Sequence, residues 1–236
     1  IGLLANGNID DCHSTGNVVA DSANYVGGLV GYCKSGTVKN SYHTTGSVKG
    51  SQSVGGLIGQ DIRSDTKRNV IKDCYSSGDV NGQTNVGGLI GDSRYSDIKV
   101  ESGNTYSSCN VFGDTSFGSA VGGLIGYCNG TNIAGNSGNK IYTEGTVRGH
   151  DNVGGLIGQI YGSAEIKYCY HEYGVVQGNT KVGGLIGFIE TDIGNIVTIE
   201  TSYTKYNIDF NNDVIANSNA GGLIGRIYDN TQNNIG

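Results

Sequence analysis

A six-residue phrase, Val-Gly-Gly-Leu-Ile-Gly, occurs seven times in this chain of 236 residues and constrains its fold more than any other feature. We call it the glycine phrase; its first copy has Val for Ile and its last has Ala for Val. The leucines of successive copies lie 28, 32, 35, 32, 29 and 38 residues apart. Such a period is typical of stacked repeats, in which each unit buries its apolar face against the next. We therefore assign a structural role to Gly28, Leu29, Gly56, Leu57, Gly88, Leu89, Gly123, Leu124, Gly155, Leu156, Gly184, Leu185, Gly222 and Leu223.

A second phrase precedes each glycine phrase and reads Ile-Lys-Asp-Cys-Tyr-Ser-Ser-Gly-Asp-Val at residues 71–80. Aligning the units on it predicts three short strands per unit: one with Cys-Tyr, one with Gly-x-Val and one with the glycine phrase. In the fourth unit this alignment puts Tyr106, Cys109, Asn110 and Gly113 in the apolar, Cys, Tyr and Gly columns. A unit of about 30 residues closes one coil at about 3.3 Å per residue, and stacked coils bring like residues above like.

The repeat therefore predicts an all-β fold, a parallel β-solenoid built as a right-handed β-helix of about seven coils of 28–38 residues. A β-propeller is the rival, but its blades run to about 40–50 residues. We expect one repeat domain over 1–236. Because Ile-Gly at residues 1–2 matches the end of the glycine phrase, and the chain has no Met, we also expect a slice of a longer solenoid. The predicted coils are 1–31, 32–59, 60–91, 92–126, 127–158, 159–187 and 188–225, followed by the start of another.

Composition argues against two classes of partner. The net charge is −6 and no stripe of Lys and Arg occurs, so we expect no nucleic-acid binding, which needs clustered cations. The apolar runs are far shorter than the roughly 18 residues of a membrane helix, so we expect no membrane span in this segment.

No pattern in the sequence predicts catalysis. A phosphate loop occurs once and precedes a helix, whereas the glycine phrase occurs seven times without a helix signal. His171-Glu172 begins like a zinc-protease motif, but the second His would stand at 175, which is Val. We expect no enzyme activity, no catalytic residue, no cofactor and no metal.

The six cysteines are predicted to be free thiols, most of them in the core. Cys-x-x-Cys pairs, which often bind zinc, do not occur. The alignment puts Cys12, Cys74, Cys109 and Cys169 in one column and two further cysteines in another. In this alignment Cys74 and Cys109, on adjacent coils, are the pair close enough to form a disulfide. Their side chains would be poorly oriented for it.

A column of tyrosines is the most suggestive candidate binding feature. If exposed, such a stripe could stack on sugar rings or dock a protein. The alternative, which we favour, is an aromatic ladder that steadies the stack. The interrupted stripe consists of Tyr42, Tyr75, Tyr142, Tyr170 and Tyr203.

Length differences between units fall mainly after the glycine phrase, at 62–69, 94–104, 129–138, 190–197 and 228–234. We expect loops there along one edge of the rod, and insertions of this kind often carry the binding face of a repeat protein.

Together the two phrases resemble the GLUG-motif repeat family, named for its Gly-Leu-x-Gly core, here Gly28-Leu29-Val30-Gly31 and its later copies. The resemblance covers the whole chain. GLUG repeats occur in large secreted or surface-attached bacterial proteins, including adhesin-like proteins and immunoglobulin A metallopeptidases. The zinc motif of the peptidase domain is absent here, so the resemblance implies an extracellular stalk or display module.

We therefore expect a non-catalytic structural and adhesive segment of a bacterial extracellular or cell-surface protein. Its partner would be a host or neighbouring-cell protein or glycan. Two alternatives stay open: an accessory substrate-docking region of a secreted protease or glycan-degrading enzyme, and a filament subunit that self-associates through open coil ends.

Overall fold

The computed structural model describes residues 1–63, 66–116, 119–205 and 214–229. Over these ranges the chain forms strands and no helix, and so no helix that could span a membrane. The strands build four sheets with parallel pairing between neighbours. The chain visits each sheet in turn and returns to the first one rung further along. This is the predicted parallel β-solenoid, and the all-β fold class is confirmed; the right-handed sense of the coil stays a prediction.

We number the sheets in the order in which the chain meets them, giving the strands of the described residues. The first sheet holds Leu3–Ala5, Val30–Lys34, Ile58–Ile62, Ile90–Arg94, Ile125–Asn129, Ile157–Tyr161, Ile186–Thr191 and Ile224–Asp229. The second holds Asn8–Asp10, Thr37–Lys39, Asn69–Lys72, Ser96–Lys99, Asn132–Ala134, Ala164–Lys167 and Val197–Glu200. The third holds His13–Thr15, Val18–Val19, Tyr42–Lys49, Tyr75–Asn81, Thr105–Phe112, Ile141–Thr143, Val147–Arg148, Cys169–Glu172, Val176–Gln177, Tyr203–Lys205 and Val214–Ile215. The fourth holds Asn24–Gly27, Gln52–Gly55, Thr84–Gly87, Ser119–Gly122, Asp151–Gly154, Thr180–Gly183 and Ser218–Gly221.

Like residues of the repeat lie above one another. Ile90 of the first sheet pairs with Ile58 on one side and Ile125 on the other. In the fourth sheet Val86 pairs with Val54 and with Val121. The backbone register therefore reproduces the sequence repeat, as stacking of equivalent coils requires.

The prediction of three strands per unit is wrong, because the glycine phrase bends instead of forming one strand. Its Val and first Gly end a strand of the fourth sheet, Thr84–Gly87, and its Ile begins a strand of the first sheet, Ile90–Arg94. Gly88 and Leu89 form the corner. By contrast, the Tyr and Gly-x-Val segments belong to one sheet and in the third coil form one strand, Tyr75–Asn81.

The sequence alignment of the fourth unit is also wrong. Tyr106 pairs with Tyr75 and Tyr142, so it belongs to the tyrosine column, whereas Cys109 pairs with Gly78. Gly78 has a φ of 113°, a conformation that favours glycine, and the fourth coil has no glycine at this place. Because this glycine is missing, the sequence alignment places the next glycine, Gly113, in the column of Gly78.

Two of the predicted loops, 94–104 and 129–138, contain strands of the second sheet, Ser96–Lys99 and Asn132–Ala134. Ile98 and Ile133 of these strands pair with each other and are buried. The added length of the fourth coil lies instead on either side of the strand Thr105–Phe112.

Both Leu and Ile of the glycine phrase face the core, because the corner between them turns both side chains inward. Leu57, Leu89, Leu124, Leu156 and Leu185 have no exposed surface. They pack with the Ile columns of the first and second sheets, while the Val columns of the third and fourth sheets form a separate cluster. Leu223, in the last copy of the phrase, is 39% exposed.

A left-handed residue precedes the Val of each strand of the fourth sheet, or the Ala that replaces it in the last strand. These residues have φ between 48° and 64°, where non-glycine residues are uncommon and Asn is enriched. Each coil therefore stores a small strain at the same place, in Tyr25, Ser53, Asn85, Ala120, Asn152, Lys181 and Asn219.

Candidate functional site

The tyrosine column forms a continuous stack of rings on the outer face of the third sheet. Neighbouring ring centroids lie 4.6–5.1 Å apart with interplanar angles of at most 9°. His13 extends the stack, 5.0 Å from Tyr42. Tyr106 fills the predicted gap, and the misaligned fourth unit is the reason why sequence analysis missed it. The ladder consists of Tyr42, Tyr75, Tyr106, Tyr142, Tyr170 and Tyr203.

Ring stacking decides what the tyrosine ladder can offer a ligand. Each inner ring has a neighbour on both faces, so its edge and hydroxyl face solvent but its flat surface does not. A sugar that stacks on an aromatic ring needs that flat surface. The geometry therefore favours the steadying ladder, worth about 0.5–1.5 kcal/mol per ring pair. Burial, with the neighbouring tyrosines, raises the pKa of Tyr170 to about 12, so its phenol stays neutral.

A column of small polar residues and two histidines runs along the inner face of the third sheet, between the two apolar clusters. We call it the polar seam. Its hydroxyls donate to the carbonyl oxygens of the second glycine in the glycine phrase: Ser76 to Gly88 at 2.6 Å and Thr143 to Gly155 at 2.8 Å. The seam consists of Ser14, His43, Ser76, Ser107, Thr143, His171 and Thr204.

The seam explains why the second glycine of the phrase has no side chain. A Cβ on Gly88 would lie 2.0 Å from the carbonyl oxygen of Gly123 on the next coil and 2.1 Å from Ser107 Oγ. A Cβ on Gly155 would lie 2.1 Å from Gly184 O and 2.5 Å from the His171 ring. The glycines predicted as structural therefore allow the close approach of successive coils.

His43 and His171 both belong to the seam, on different coils. Their Nδ1 atoms lie 3.0 Å from Ser14 Oγ and 2.9 Å from Thr143 Oγ1. Since the Thr143 hydroxyl donates to Gly155, His171 Nδ1 must be the donor to Thr143, which assigns the tautomer. Nε2 of each histidine is buried, and neither atom has a hydrogen-bond partner among the residues that the structure describes.

These pairs resemble a nucleophile beside a base, but their geometry does not support that role. The proton of the Thr143 hydroxyl is directed at a backbone carbonyl rather than at the imidazole. Thr143 and His171 have no exposed surface. Burial lowers the pKa of His171 to about 4, so the ring is neutral at neutral pH. The pair stabilises the stack and offers no access to a substrate.

A second buried polar cluster surrounds Asp61, between the first and second sheets. Asp61 has no exposed surface and accepts hydrogen bonds from Asn69 Nδ2 and Ser93 Oγ, and the side chains of Ser96 and Cys33 lie beside it. Desolvation raises the pKa of the Asp61 carboxyl to about 6, and these hydrogen bonds oppose the rise without cancelling it. Sequence analysis missed the cluster, because Asp61 replaces an otherwise apolar or small residue in its column.

The six cysteines are free, and all but Cys12 are buried. Cys74 Sγ and Cys169 Sγ donate to carbonyls two residues earlier, Lys72 O and Lys167 O, each at 3.1 Å. Burial raises the pKa of both thiols to about 12, which keeps them protonated. The proposed proximity of Cys74 and Cys109 is wrong, because Cys109 lies in the column of Gly78.

Comparisons with known proteins place the fold but not the family. No protein-family model matches the chain, and no curated protein sequence matches it. Its structure is similar to that of a putative immunoglobulin A1 protease from Bacteroides ovatus, with a TM-score of 0.56 and 20% sequence identity. The likeness covers 88% of this chain and 66%, just under two thirds, of that chain. At this identity the likeness establishes a shared β-solenoid fold and nothing about activity.

The remaining candidate surface is the outside of the rod. Among the described residues, no three His, Cys, Asp or Glu side chains come together as a metal site. Of the predicted loops, 190–197 is described and exposes Ile193 and Ile196, whereas 62–69 and 228–234 extend beyond the described residues. Any ligand must therefore contact outer columns, loops or the corners between sheets.

Proposed function

We propose that this chain is a non-catalytic structural and adhesive segment of a bacterial extracellular or cell-surface protein, and that its rod presents outer surfaces to a protein or glycan. One observation carries the proposal: the repeated residues are used in stacking. The Leu, Ile and Val columns fill the core, the polar seam bonds to the glycine corners, and the tyrosines stack on each other. The outer columns and corners also differ from coil to coil, and they are the parts that a partner can reach.

The buried chemistry supports a non-catalytic role. The hydroxyls beside His43 and His171 are bonded to glycine carbonyls, and Asp61 is enclosed by its own hydrogen-bond donors. A catalytic group must reach a substrate, and these groups face the interior of the stack.

Labelling of intact cells tests the proposed location. Antibodies raised against the folded segment should stain unpermeabilised cells of the bacterium that makes it, or recover the segment from its culture fluid. A cytoplasmic protein of the same cells serves as the negative control. Staining that requires permeabilisation, with none of the segment outside, would contradict the proposal.

A second candidate is an accessory region of a secreted protease, which the structural similarity to the Bacteroides ovatus protein favours. In that case, deleting the segment from the full-length protein should lower kcat/KM for a folded protein substrate and leave a short peptide substrate unaffected. Equal rates with and without the segment on both substrates would exclude this candidate.

A further inference from the structure

Two clefts lie at one corner of the rod, where the third sheet leads into the fourth. The first, of about 320 Å³, is lined by Asp21, Lys49, Gln83 and Phe112 among others. The second, of about 310 Å³, is lined by Thr115, Arg148, His150, Gln177, Asn179 and Asn217. Phe112 of the first pairs with Arg148 of the second, so the clefts are successive stretches of one groove. We call it the corner groove.

The floor of the corner groove is bare backbone whose hydrogen-bond donors are already used. Gly82 N donates to Phe112 O at 3.0 Å, Gly113 N to Arg148 O at 2.7 Å and Gly149 N to Gln177 O at 3.0 Å. These bonds join one coil to the next. At these three glycines a peptide finds no free N–H with which to pair as an added strand, so recognition there must come from the side chains of the walls.

One wall carries a row of polar side chains held by each other. Asn217 Nδ2 donates to Asn179 Oδ1 at 2.6 Å, and Asn179 Nδ2 lies 3.3 Å from His150 Nε2. His150 Nδ1 lies 3.2 Å from Asp151 Oδ1, so Nδ1 is the donor there and Nε2 accepts from Asn179. Each amide is thereby fixed in orientation and keeps a donor and an acceptor site for a ligand. Sugar hydroxyls, which both donate and accept, match such a row.

The same cleft also contains a positive charge. The Arg148 side chain is exposed, and no carboxylate or carbonyl among the described residues pairs with it. Lys49 differs, because it pairs with Asp21 at 2.8 Å. A guanidinium binds a carboxylate through two parallel hydrogen bonds. One rung away, the half-buried ring of Phe112 offers an apolar surface against which a sugar ring can pack.

We propose that the corner groove binds an acidic oligosaccharide lying along the rod. Its carboxylate sits on Arg148, its hydroxyls bond to Gln177 and Asn179, and one ring packs on Phe112. A pyranose unit is about as long as the rung spacing of roughly 4.8 Å, so successive sugars meet successive coils. This proposal rests on the display function above and names the ligand class for it.

An array of acidic and neutral oligosaccharides, followed by calorimetry, tests it. The acidic set contains uronate and sialylated chains, and each has its neutral counterpart with the carboxyl group reduced or removed. We expect binding of acidic chains, at least tenfold weaker binding of the counterparts, and a loss of at least tenfold on Arg148→Gln. Arg148→Lys should retain part of the affinity. Arg226→Gln, at an exposed arginine of the first sheet, is the matched control and should bind as the parent does.

Three outcomes overturn the proposal, provided that all variants unfold at the parent temperature. They are equal binding of acidic and neutral chains, equal effects of Arg148→Gln and Arg226→Gln, and no binding of any acidic chain. If a glycan or protein binds elsewhere and Arg148→Gln has no effect, the groove is wrong but the display function stands. If neither kind of ligand binds the segment, the adhesive function fails as well.

Discussion

At the scale of single residues, two fully buried ionisable side chains give the rod opposite responses to acid. Desolvation disfavours the charged form of each, which raises the pKa of Asp61 and lowers the pKa of His171. Protonation therefore removes a buried charge at Asp61, which stabilises the fold, and creates a buried charge at His171, which destabilises it. The substitutions Asp61→Asn and His171→Thr separate these contributions.

Asp61→Asn should stabilise the protein at neutral pH. The pKa of the carboxyl is 3.8 ordinarily and about 6 in the fold, so Asp61 weakens the fold progressively as pH rises from about 4 to above 6. At about 1.4 kcal/mol per pKa unit, removing the charge should add on the order of 3 kcal/mol to the free energy of unfolding at pH 7.5. The gain should shrink towards zero near pH 4. Urea unfolding at both pH values measures it, and a gain that does not change with pH would contradict the assignment.

His171→Thr should flatten the acid side of the stability profile. The folded pKa, about 4, lies below the ordinary 6.5, so His171 causes a loss of stability as pH falls through this window. Threonine is already present in the seam at Thr143 and Thr204. Between pH 7 and pH 4 the free energy of unfolding should fall in both proteins. In the variant this fall should be smaller than in the parent by on the order of 3 kcal/mol. His13→Thr, at an exposed position, is the control; an equal flattening in both variants would exclude the buried imidazole as the cause.

At the scale of elements, the corner in the glycine phrase decides how closely two coils approach. Gly88→Ala should destabilise the protein by several kcal/mol, because its Cβ would meet the Gly123 carbonyl oxygen at 2.0 Å and backbone cannot move aside. Gly222 holds the same place in the last copy of the phrase, and no atom of the described residues lies within 4 Å of its added Cβ. Gly222→Ala should therefore unfold within a degree or two of the parent. Thermal unfolding of both variants compares them, and similar losses would mean that contact with the next coil is not what requires glycine.

The left-handed residue before each Val of the fourth sheet gives a second element-scale prediction. Ala120 has a φ of 64°, and its neighbours in the column, Asn85 and Asn152, are of the type that tolerates this conformation. Asn152 Oδ1 is buried and has no hydrogen-bond partner within the described part of the chain. Ala120→Asn should relieve backbone strain and place an amide donor beside that oxygen.

We expect Ala120→Asn to raise the free energy of unfolding by about 1 kcal/mol. Ala134→Asn, in a strand of the second sheet outside the left-handed column, should give no gain. Denaturant unfolding of both variants decides the point. A loss of stability at residue 120 would show that the column has no room for the larger side chain.

At the scale of the whole molecule, the period of the glycine phrase was enough to predict a stacked parallel β-solenoid. The period was not enough to align the residues within a coil, because that alignment relied on one spacing, Cys-x-x-x-Gly. In the fourth coil Cys109 replaces the glycine, and the same spacing recurs four residues later by coincidence at Gly113. The register of Tyr106, and with it the continuous tyrosine ladder, follows only from the paired backbones.

The candidate binding surface could not be predicted for a related physical reason. The corner groove joins residues about 30 positions apart along the chain, such as Phe112, Arg148 and Gln177, and no motif links them. The tyrosines form an obvious pattern in the sequence, but their rings are occupied by each other. The repeated residues are thus the ones that stack one coil on the next. The residues that are not repeated form the surface that a ligand can reach.

Backbone amide NMR of the 24.5 kDa chain, titrated with the acidic oligosaccharide that binds best on the array, tests the central claim most directly. We expect chemical-shift changes to concentrate at 112–115, 148–151, 177–179 and 217, with the tyrosine ladder and polar seam unaffected. Changes centred on Tyr75, Tyr106 and Tyr142, or no change at saturating ligand, would contradict the claim that the corner groove is where this rod meets its partner.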